Sequence, residues 1–356
     1  MEQKSVLIGM SGGVDSSVAA ALLKEQGYHV IGATMRLWTY SDSCNMKHEG
    51  CCAESAVEDA RRVCDKLGID FYVMNFKDMF KDKGVDYFVD EYIHGRTPNP
   101  CIACNKYLKF DALLKKALAM GIDYVATGHY AKIEKGEDGK YILRASEAVK
   151  KDQSYVLYNF TQEQLAHTLM PLGGYNKDWV RQKAEELGLG VAHKPDSQEI
   201  CFVEDDDYAK FITDYSGYKP KEGDILDVNG NVIGKHRGLI YYTIGQRKGI
   251  GAYGRPMFVM KIDAENNTIT LGEKGMEFSN ELTAYDVNFV SGEFPKENML
   301  ITAKVRYQAP PAAAMLCPQK DGTVKLMFPE PQRAVTPGQA VVFYDGDIVL
   351  GGGTVL

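Results

Sequence analysis

The chain of 356 residues has no long hydrophobic run and no excess of positive charge. No stretch approaches the roughly 18 consecutive apolar residues that a membrane-spanning helix needs. The start of the chain, which carries Glu2, also lacks the apolar region of a secretory signal. Lysine and arginine number 41 against 48 aspartate and glutamate residues, so the net charge is −7. A general affinity for nucleic acid is therefore not expected, and RNA binding would need a local basic surface.

Eight cysteines without an export signal indicate a reducing compartment, in which thiols are free, bound to metal or catalytic. We therefore expect a cytoplasmic protein. Apolar residues make up 45% of the chain, which is enough for real hydrophobic cores. The length predicts two or three domains.

Two widespread nucleotide-binding loops are missing as well. The nearest match to a Walker A loop, Gly230 to Lys235, is one residue too short, and His236 replaces the required serine or threonine. Gly249 to Gly254 has the letters of a dinucleotide-binding loop, but Arg255 and Pro256 follow it instead of a helical pattern. We interpret neither stretch as a nucleotide site.

A local basic surface is nevertheless present between Lys235 and Arg255. This segment holds five cationic side chains, no acidic residue and three interleaved tyrosines. Such a composition suits phosphate contacts and base stacking. An ordinary solvated hairpin explains it equally well, so both interpretations stay open.

The most informative stretch is a loop rich in glycine and serine, Ser11 to Ser17. It follows the apolar run Val6 to Met10 and precedes the helical pattern Val18 to Gln26. Glycines let the backbone approach an anion, and the first N–H groups of the helix point at it. The serine hydroxyls add further donors. The sequence therefore predicts a phosphate-binding loop between a strand and a helix.

Apolar runs alternate with helical patterns up to about Tyr130. This alternation predicts a doubly wound α/β domain with a parallel sheet, whose ligands lie at the carboxyl ends of the strands. Met35 and the segment Thr127 to His129 should then meet the phosphate loop at one edge. The predicted strands are 6–9, 30–35, 69–74 and 122–126, and the predicted helices are 18–26, 53–66, 77–92 and 106–120.

Beyond Tyr130 the pattern predicts a hairpin over 131–144 and a helix over 178–186. From about Tyr208 onwards, short strands and frequent turn signals predict an all-β arrangement with a small barrel at the end. The domains are expected at 1–207, 208–275 and 276–356, the middle one being a small central domain.

A pair of cysteines, Cys101 and Cys104, lies in a stiff loop at or near a helix start, behind Pro98 and Pro100. A helix N-terminus lowers the pKa of a thiol and favours the nucleophilic thiolate. The spacing alone fits a redox pair, half of a metal site or a catalytic thiol. Cys201 is the obvious third cysteine, because it too stands beside a turn.

Several motifs in chain order carry a resemblance that covers nearly the whole chain. Together they resemble the tRNA-specific 2-thiouridylases, the MnmA/TrmU family, which are PP-loop N-type ATP pyrophosphatases. The resemblance implies a PP-loop domain, a central or linker domain (208–275) that contacts tRNA, and a C-terminal β-barrel. The motifs are Ser11 to Ser16, Arg96 to Pro100 with Cys104 to Lys106, Thr127 to Tyr130, Lys151 to Tyr155, Ser197 to Phe202, Thr243 to Gly249 and Val305 to Tyr307.

The resemblance also implies a reaction. ATP would adenylate the C2 oxygen of the wobble uridine in the anticodons of tRNAs for Lys, Glu and Gln, and sulfur would then displace AMP. Cys201 would carry the sulfur as a persulfide, supplied by a cysteine desulfurase or a sulfur relay protein. Cys104 would be the catalytic partner thiol, which either releases sulfide from the persulfide and leaves a disulfide, or assists direct transfer.

The family's remaining site residues map onto this chain by motif. Asp15 would help to hold Mg²⁺, which prefers hard oxygen ligands and bridging phosphates. The target base must be flipped out, because its reacting atom lies inside a stacked loop. The implied ATP site is Gly9, Met10, Ser11, Gly12, Gly13, Val14, Asp15, Ser16, Met35 and Gly128; the base site is Asn99, Pro100 and Cys101; and the tRNA contacts are His129, Lys151, Asp152, Gln153, Arg306, Tyr307 and Gln339.

One position departs from part of the family, because some members have aspartate where this chain has Cys101. Its thiol is either a spectator or a third ligand with Cys104 and Cys201, in which case the three could hold an iron–sulfur cluster or zinc. Cys64 and Cys317 are interpreted as structural. The cluster of Cys44, Cys51 and Cys52 has only weak metal-binding potential.

Two rival interpretations remain at the level of sequence. Another PP-loop enzyme, such as a lysidine, GMP or NAD synthetase, would need no cysteine pair. A nucleotide-sensing or metal-binding RNA module without catalytic activity would release no pyrophosphate.

Overall fold

The structure, a computed structural model, describes residues 3–38, 54–196, 200–203 and 207–356. Cys44, Cys51 and Cys52 lie outside the described residues. So do Ser197 to Glu199, the first part of the motif that contains Cys201.

The amino-terminal part of the chain is built on a parallel sheet. Its spatial order is β3-β2-β1-β4-β7, so that β1 is central and pairs with both β2 and β4. Leu7 lies opposite Ile31 on one side and Val125 on the other. The strands described in this part are β1 (Ser5–Gly9), β2 (His29–Arg36), β3 (Asp70–Asn75), β4 (Tyr124–Ala126), β5 (Ala131–Lys135), β6 (Tyr141–Ala145) and β7 (Thr168–Leu169).

Both faces of this sheet are covered, as the sequence predicts. Val6, Leu7 and Ile8 are fully buried, and their side chains alternate between two hydrophobic cores, because successive strand residues point to opposite faces. Leu7 packs with Leu113 in one core, while Val6 and Ile8 pack with Val18 in the other. The predicted doubly wound α/β class is therefore confirmed.

The helices flank the sheet close to their predicted positions. None of those described is long and apolar enough to cross a membrane. They are α1 (Val14–Glu25), α2 (Glu54–Leu67), α3 (Lys77–Phe80), α4 (Tyr87–Ile93), α5 (Pro100–Ala103), α6 (Leu113–Ala119), α7 (Gln162–Ala166) and α8 (Lys177–Glu186), with π-helical turns at Lys81–Asp86 and Cys104–Ala112.

The helix predicted to start at Lys106 begins earlier, at Pro100. Asn99 is its N-cap: the side-chain oxygen accepts hydrogen bonds from the backbone N–H groups of Cys101 and Ile102, at 3.1 and 3.4 Å. Proline at the first helical position loses no hydrogen bond there. Both cysteines of the pair therefore lie in the first turns of a continuous helical segment, in agreement with their expected place at or near a helix start, although the helix begins at Pro100 and not at Lys106.

A further difference concerns the start of the second part, which was predicted to be all-β from about Tyr208. Residues Tyr208–Ser216 form helix α9. Asp207 caps it by accepting from the backbone N–H of Lys210 at 2.9 Å, and Gly217 ends it in the left-handed region with φ of 69°. Its apolar side buries Ala209 and Ile212, so a helical period outweighs the turn-rich composition that follows.

After α9 comes a four-stranded sheet of spatial order β10-β11-β8-β9 around its own small core. Its strands are β8 (Gly223–Leu226), β9 (Val232–His236), β10 (Met257–Asp263) and β11 (Thr268–Glu273). Strand β10 follows directly after Gly249 to Gly254, and the described residues show no helix there. The rejected dinucleotide loop therefore lacks its structural context.

The last part is an antiparallel barrel that closes by pairing β12 with β17. Its order is β12-β15-β14-β13-β16-β17, and the hairpin β5–β6 of the first part continues the sheet from β17. The strands are β12 (Phe278–Phe289), β13 (Met299–Lys304), β14 (Ala312–Pro318), β15 (Val324–Arg333), β16 (Ala340–Asp345) and β17 (Ile348–Val355).

Candidate active site

The phosphate loop between β1 and α1 is held by its own serines. The backbone N–H of Ser11 donates to Ser16 Oγ at 3.2 Å, and the Ser17 hydroxyl donates to the carbonyl of Gly13 at 2.8 Å. Gly13 is the N-cap of α1 and offers no side chain to its first N–H groups. Those donors, together with the positive end of the helix dipole, leave a site suited to an anion.

Gly12 is required for close packing in this loop. Its φ is 69°, and a Cβ there would lie 2.2 Å from the carbonyl oxygen of Ala56 on α2. The loop therefore fits against α2 only with glycine at this position.

Three strand ends meet at this edge of the sheet. Thr34 donates to the carbonyl of Met10 at 2.8 Å, which ties the end of β2, next to Met35, to the end of β1. After β4, a Cβ on Gly128 would lie 2.6 Å from the backbone nitrogen of Ser16. The predicted nucleotide residues on these three strand ends are thus brought together at the point where the strand order reverses, where such sheets bind ligands.

Gly128→Ala should weaken ATP binding at least about tenfold, because the added methyl group pushes the end of β4 away from the start of α1. Gly174→Ala is the matched control, since a Cβ there meets nothing within 4 Å. Calorimetric titration with ATP checks both. Equal affinities for the two variants would contradict this packing argument.

Asp15 is the one acidic group of the loop, and it already has protein partners. The hydroxyl of Tyr130 donates to its carboxylate at 2.7 Å, and Lys177 Nζ lies 2.7 and 2.8 Å from its two oxygens. Burial, followed by the nearby Asp15 charge, raises the pKa of Tyr130, so that its hydroxyl stays a donor. A carboxylate beside bound phosphates is a fitting oxygen ligand for Mg²⁺.

The helical segment 100–112, called the cysteine helix below, exposes Cys101 to solvent but buries Cys104. Cys101 is exposed in the first turn, whereas Cys104 is 8% exposed and belongs to the main hydrophobic core. Next to it, Asn105 donates to the carbonyl of Val156 at 3.1 Å, which fixes the helix against the segment after Gln153.

Cys201 is half-buried and packs against the same hydrophobic core that contains Cys104. Phe202 anchors this segment, since its fully buried ring packs against Phe80 and Phe88, with ring centroids 5.6 and 5.2 Å away. The two cysteines assigned to sulfur chemistry thus face one core from two segments.

The alternative of a metal or iron–sulfur site finds no support in this arrangement. Within residues 3–38, 54–196, 200–203 and 207–356, no three His, Cys, Asp or Glu side chains are grouped so as to hold a metal ion. Cys101, Cys104 and Cys201 therefore do not fit a cluster in this structure, and no chemical step is built on one.

The segment predicted to contact tRNA, residues 151–153, is tightly fixed by internal hydrogen bonds. Asp152 accepts from the backbone N–H of Ser146 at 2.9 Å and from the hydroxyl of Ser154 at 2.8 Å. Gln153 Oε1 accepts from the backbone N–H of Tyr130 at 3.0 Å. These side chains support the segment's backbone, and their contact with tRNA stays a prediction.

The barrel places an aromatic and cationic cluster, formed by Lys304, Arg306 and Tyr307, beside the segment 151–153. The hydroxyl of Tyr307 donates to the carbonyl of Asp152 at 3.1 Å, and its ring meets that of Tyr155 edge to face. Lys304 Nζ lies over both rings, and burial lowers the pKa of this lysine. Arg306 is half-buried beside them. This cluster joins the segment 151–153 to the barrel.

The barrel also holds the loop in front of the cysteine helix. Gln339 Nε2 donates to the carbonyl of Thr97 at 2.8 Å, and the backbone N–H of Thr97 donates to the carbonyl of Pro337 at 2.9 Å. Gly338 allows this approach with φ of 88°, and a Cβ there would lie 2.9 Å from the nitrogen of Thr97. Gln339, predicted to contact tRNA, thus supports the loop that leads to Asn99.

Gly338→Ala should lower both stability and sulfur-transfer rate, because it combines backbone strain of about 1–3 kcal/mol with loss of the Thr97 contact. Gly322→Ala is the control: its φ is 84°, but a Cβ there has open space. Thermal melting and initial rates should show a larger loss for Gly338→Ala in both quantities. Indistinguishable variants would argue against a supporting role for this turn.

His129 and the basic segment between Lys235 and Arg255 offer less unpaired positive charge to RNA than the sequence alone suggests. Burial, and then the charge of Lys109, lower the pKa of His129 well below its ordinary value, so it is neutral near pH 7 and offers no charge to phosphate. In the basic segment, Lys235 and Arg255 are paired with Asp224 and Glu273, at 2.5 and 2.6 Å. Exposed cations remain at positions 247 and 248.

Sequence reasoning missed a second layer of charged residues around the phosphate loop. Lys194 Nζ contacts the carbonyl of Gly12 at 3.1 Å and Asp59 at 2.9 Å, while Lys177 contacts Asp15. Both lysines lie far from the loop in sequence and belong to none of the motifs named above. The only signal was a lysine at the first position of α8, where the helix dipole disfavours a cation.

Comparison with known proteins extends these observations to the whole chain. Three family models match in order: a tRNA methyl transferase HUP domain at residues 4–205, a tRNA methyl transferase PRC-barrel domain at 209–273, and an aminomethyltransferase β-barrel domain at 279–355. They correspond to the parallel sheet, the four-stranded sheet and the closed barrel described above.

Curated relatives match over all or nearly all of their length. The tRNA-specific 2-thiouridylase MnmA of Acetivibrio thermocellus is 59% identical over 358 residues, covering 100% of both chains. The protein of the same name from Clostridioides difficile is 58% identical, covering 99% of this chain and 98% of its own. That from Clostridium botulinum strain Alaska E43 is 56% identical, covering 100% and 98%.

Proposed function

This chain belongs to the tRNA-specific 2-thiouridylase MnmA family, and on that premise we propose that it thiolates the wobble uridine of tRNA anticodons in an ATP-dependent reaction. It is a tRNA uridine sulfurtransferase. The finer parts of the proposal concern the cleavage of ATP, the roles of the cysteines, and the tRNAs for Lys, Glu and Gln as substrates. The proposed place of the reaction is the cytoplasm.

One observation carries the link between ATP and sulfur chemistry. Lys194, seven residues before Cys201, contacts the carbonyl of Gly12 in the phosphate loop at 3.1 Å. The segment that leads to the proposed sulfur carrier therefore lies against the proposed nucleotide site. An ATP-activated carbon and a sulfur nucleophile can meet only if these two parts adjoin.

The first proposed step activates the uridine. The C2 oxygen attacks the α-phosphorus of ATP, the bond between the α and β phosphates breaks, and pyrophosphate leaves. The donors of the phosphate loop and the start of α1 would hold the phosphates and stabilise the charge that develops on them. Mg²⁺ held at Asp15 would supply further neutralisation of the phosphates.

The second proposed step transfers sulfur. In direct transfer, the terminal sulfur of a Cys201 persulfide attacks C2 and AMP leaves with the former C2 oxygen. Cys104 then attacks Cys201 Sγ, which releases 2-thiouridine and forms a Cys104–Cys201 disulfide. In the alternative, Cys104 attacks first and the released sulfide attacks C2. Either order makes one disulfide per thiolated base, so a thiol reductant must restore the enzyme.

The partners follow from this chemistry. The enzyme would need tRNA with an accessible anticodon, because the target base must leave the stacked loop to expose C2. Asn99, Pro100 and Cys101 at the start of the cysteine helix are the proposed surroundings of that base. A donor that carries persulfide sulfur must load Cys201.

The test uses the purified full chain with tRNA, magnesium, a persulfide donor and different nucleotides. Mass spectrometry of the digested tRNA should reveal 2-thiouridine with ATP and with β,γ-methylene-ATP, whose α–β bond can be cleaved. It should reveal none with α,β-methylene-ATP. Thiolation that proceeds with α,β-methylene-ATP, or without any nucleotide, would overturn the proposed activation.

A further inference from the structure

A single, largely buried ammonium group joins the phosphate loop to the segment that precedes Cys201. Lys177 Nζ lies 2.7 and 2.8 Å from the two carboxylate oxygens of Asp15, and 2.7 Å from Asp196. Asp15 belongs to the phosphate loop, and Asp196 stands five residues before Cys201. The side chain of Lys177 is only 11% exposed, so both ion pairs are largely shielded from water.

Helix stability does not explain why a lysine occupies this position. Lys177 is the first residue of α8, at the positive end of the helix dipole, where a cation is unfavourable. The helix already has an N-cap, since Asn176 accepts from the backbone N–H of Trp179 at 2.9 Å. A buried ammonium is costly unless it is paired, and here two carboxylates pair with it.

Asp196 also forms ion pairs with two further cationic side chains. Lys151 Nζ lies 2.7 Å from its second oxygen, and Arg181 Nη2 lies 3.8 Å from the oxygen that Lys177 contacts. Burial opposes the charge of Asp196, but hydrogen bonds from Lys151 and Lys177 hold its pKa below the usual range. This carboxylate therefore stays ionised and connects α8 with the segment predicted to contact tRNA.

Among the described residues, the network has one cation more than it has carboxylates. Lys151, Lys177 and Arg181 face Asp15 and Asp196. Arg181 Nε is buried and, within the part of the chain that the structure describes, has no hydrogen-bond partner. These three cationic side chains, with the unpaired buried N–H of Arg181 among them, are suited to bind an anion that enters the phosphate loop.

We propose that Lys177 is a positioning residue that reports occupancy of the phosphate loop to Cys201 through Asp196. When ATP enters, Lys177 turns from Asp15 towards the phosphates and keeps its contact with Asp196. The position of Asp196 then depends on whether nucleotide is bound, and with it the surroundings of Cys201. This inference rests on the proposed function, because it assumes that the loop binds ATP and that Cys201 carries sulfur.

The test measures how fast iodoacetamide alkylates Cys201, followed by peptide mass spectrometry, with and without saturating Mg·ATP and without tRNA. In the wild type, ATP should change this rate at least about threefold. Lys177→Met should lose the response although ATP is bound, which a separate titration verifies. Lys177→Arg, which keeps the charge, should retain part of it.

Matched controls separate coupling from general damage. Lys183→Met removes another lysine of α8, which pairs with Glu25 at 2.9 Å, and should respond to ATP like the wild type. If Lys177→Met does not fold, Asp196→Asn removes the other end of the link and should abolish the response in the same way.

Two results would overturn the inference: a wild type whose Cys201 does not respond to ATP, or a response that persists unchanged in folded Lys177→Met or, where that variant does not fold, in Asp196→Asn. The assay contains no tRNA and no sulfur donor. Failure of the proposed function would instead appear as absent 2-thiouridine in the complete reaction, so the two failures can be told apart.

Discussion

Cys201→Ser should lower the rate of 2-thiouridine formation at least about 1,000-fold, because a hydroxyl cannot carry a transferable sulfur and the covalent step is lost. A single release of pyrophosphate per enzyme in the presence of tRNA should persist within about threefold, since the phosphate loop is unchanged. Rapid quenching, with pyrophosphate and 2-thiouridine measured in the same samples, separates the two steps.

Cys317→Ser is the control for this experiment. Cys317 is a buried free thiol of the barrel that the proposed chemistry does not use, so its replacement should leave both steps near wild-type rates. If Cys201→Ser thiolates tRNA as well as Cys317→Ser does, Cys201 is not the sulfur carrier and the proposed second step is wrong.

Cys104→Ser is expected to reduce steady-state thiolation at least about 100-fold, because serine cannot form the disulfide that completes each cycle. Loading of Cys201 with a persulfide should continue, since that exchange involves the donor and Cys201. Intact-protein mass spectrometry after incubation with the donor should detect one added sulfur on the variant.

The same variant distinguishes the two orders of sulfur transfer. With direct transfer, Cys104→Ser should trap a disulfide-linked protein–tRNA adduct through Cys201, which a reductant dissolves into 2-thiouridine-containing tRNA. With sulfide release, no adduct forms and added inorganic sulfide should restore part of the product. Full activity of Cys104→Ser without added sulfide would contradict both orders.

The parallel sheet was predictable because its signals are local and mutually consistent. The apolar run before Ser11 is typical of a strand buried on both faces, and Gly27, Gly68 and Gly121 mark the ends of three of the predicted helices. The closed barrel was predictable only as a class, from the turn signals around Asp345 and Gly346. Its pairing with the hairpin β5–β6 depends on contacts between distant parts of the chain.

The start of the helix at Pro100 and the presence of helix α9 were predicted wrongly, because local composition was given more weight than the helix-capping residues. Asn99 followed by Pro100 is an N-terminal helix signal, and Asp207 with Gly217 brackets a helix of nine residues. Both signals were present in the sequence. The turn-rich stretch beyond Tyr208 and the proline-stiffened loop outweighed them in the prediction.

The charged link of the candidate site could not be predicted by the same means. Lys177 meets Asp15 across 162 positions of the chain, and its partner Asp196 belongs to no motif. Such contacts depend on how α8 packs against α1, which hydrophobic periodicity does not specify. Motif resemblance assigned the reacting groups, while the residues that hold them emerged only from the fold.

The most direct test of the whole account follows the oxygen atom of the target base. A tRNA carrying oxygen-18 at C2 of its wobble uridine is converted in a single turnover, and the AMP is analysed by mass spectrometry. Because adenylation joins that oxygen to the α-phosphorus, the account predicts that AMP carries the isotope in proportion to the 2-thiouridine formed. Unlabelled AMP alongside full conversion to 2-thiouridine would show that C2 is not activated by adenylation and would contradict the central claim.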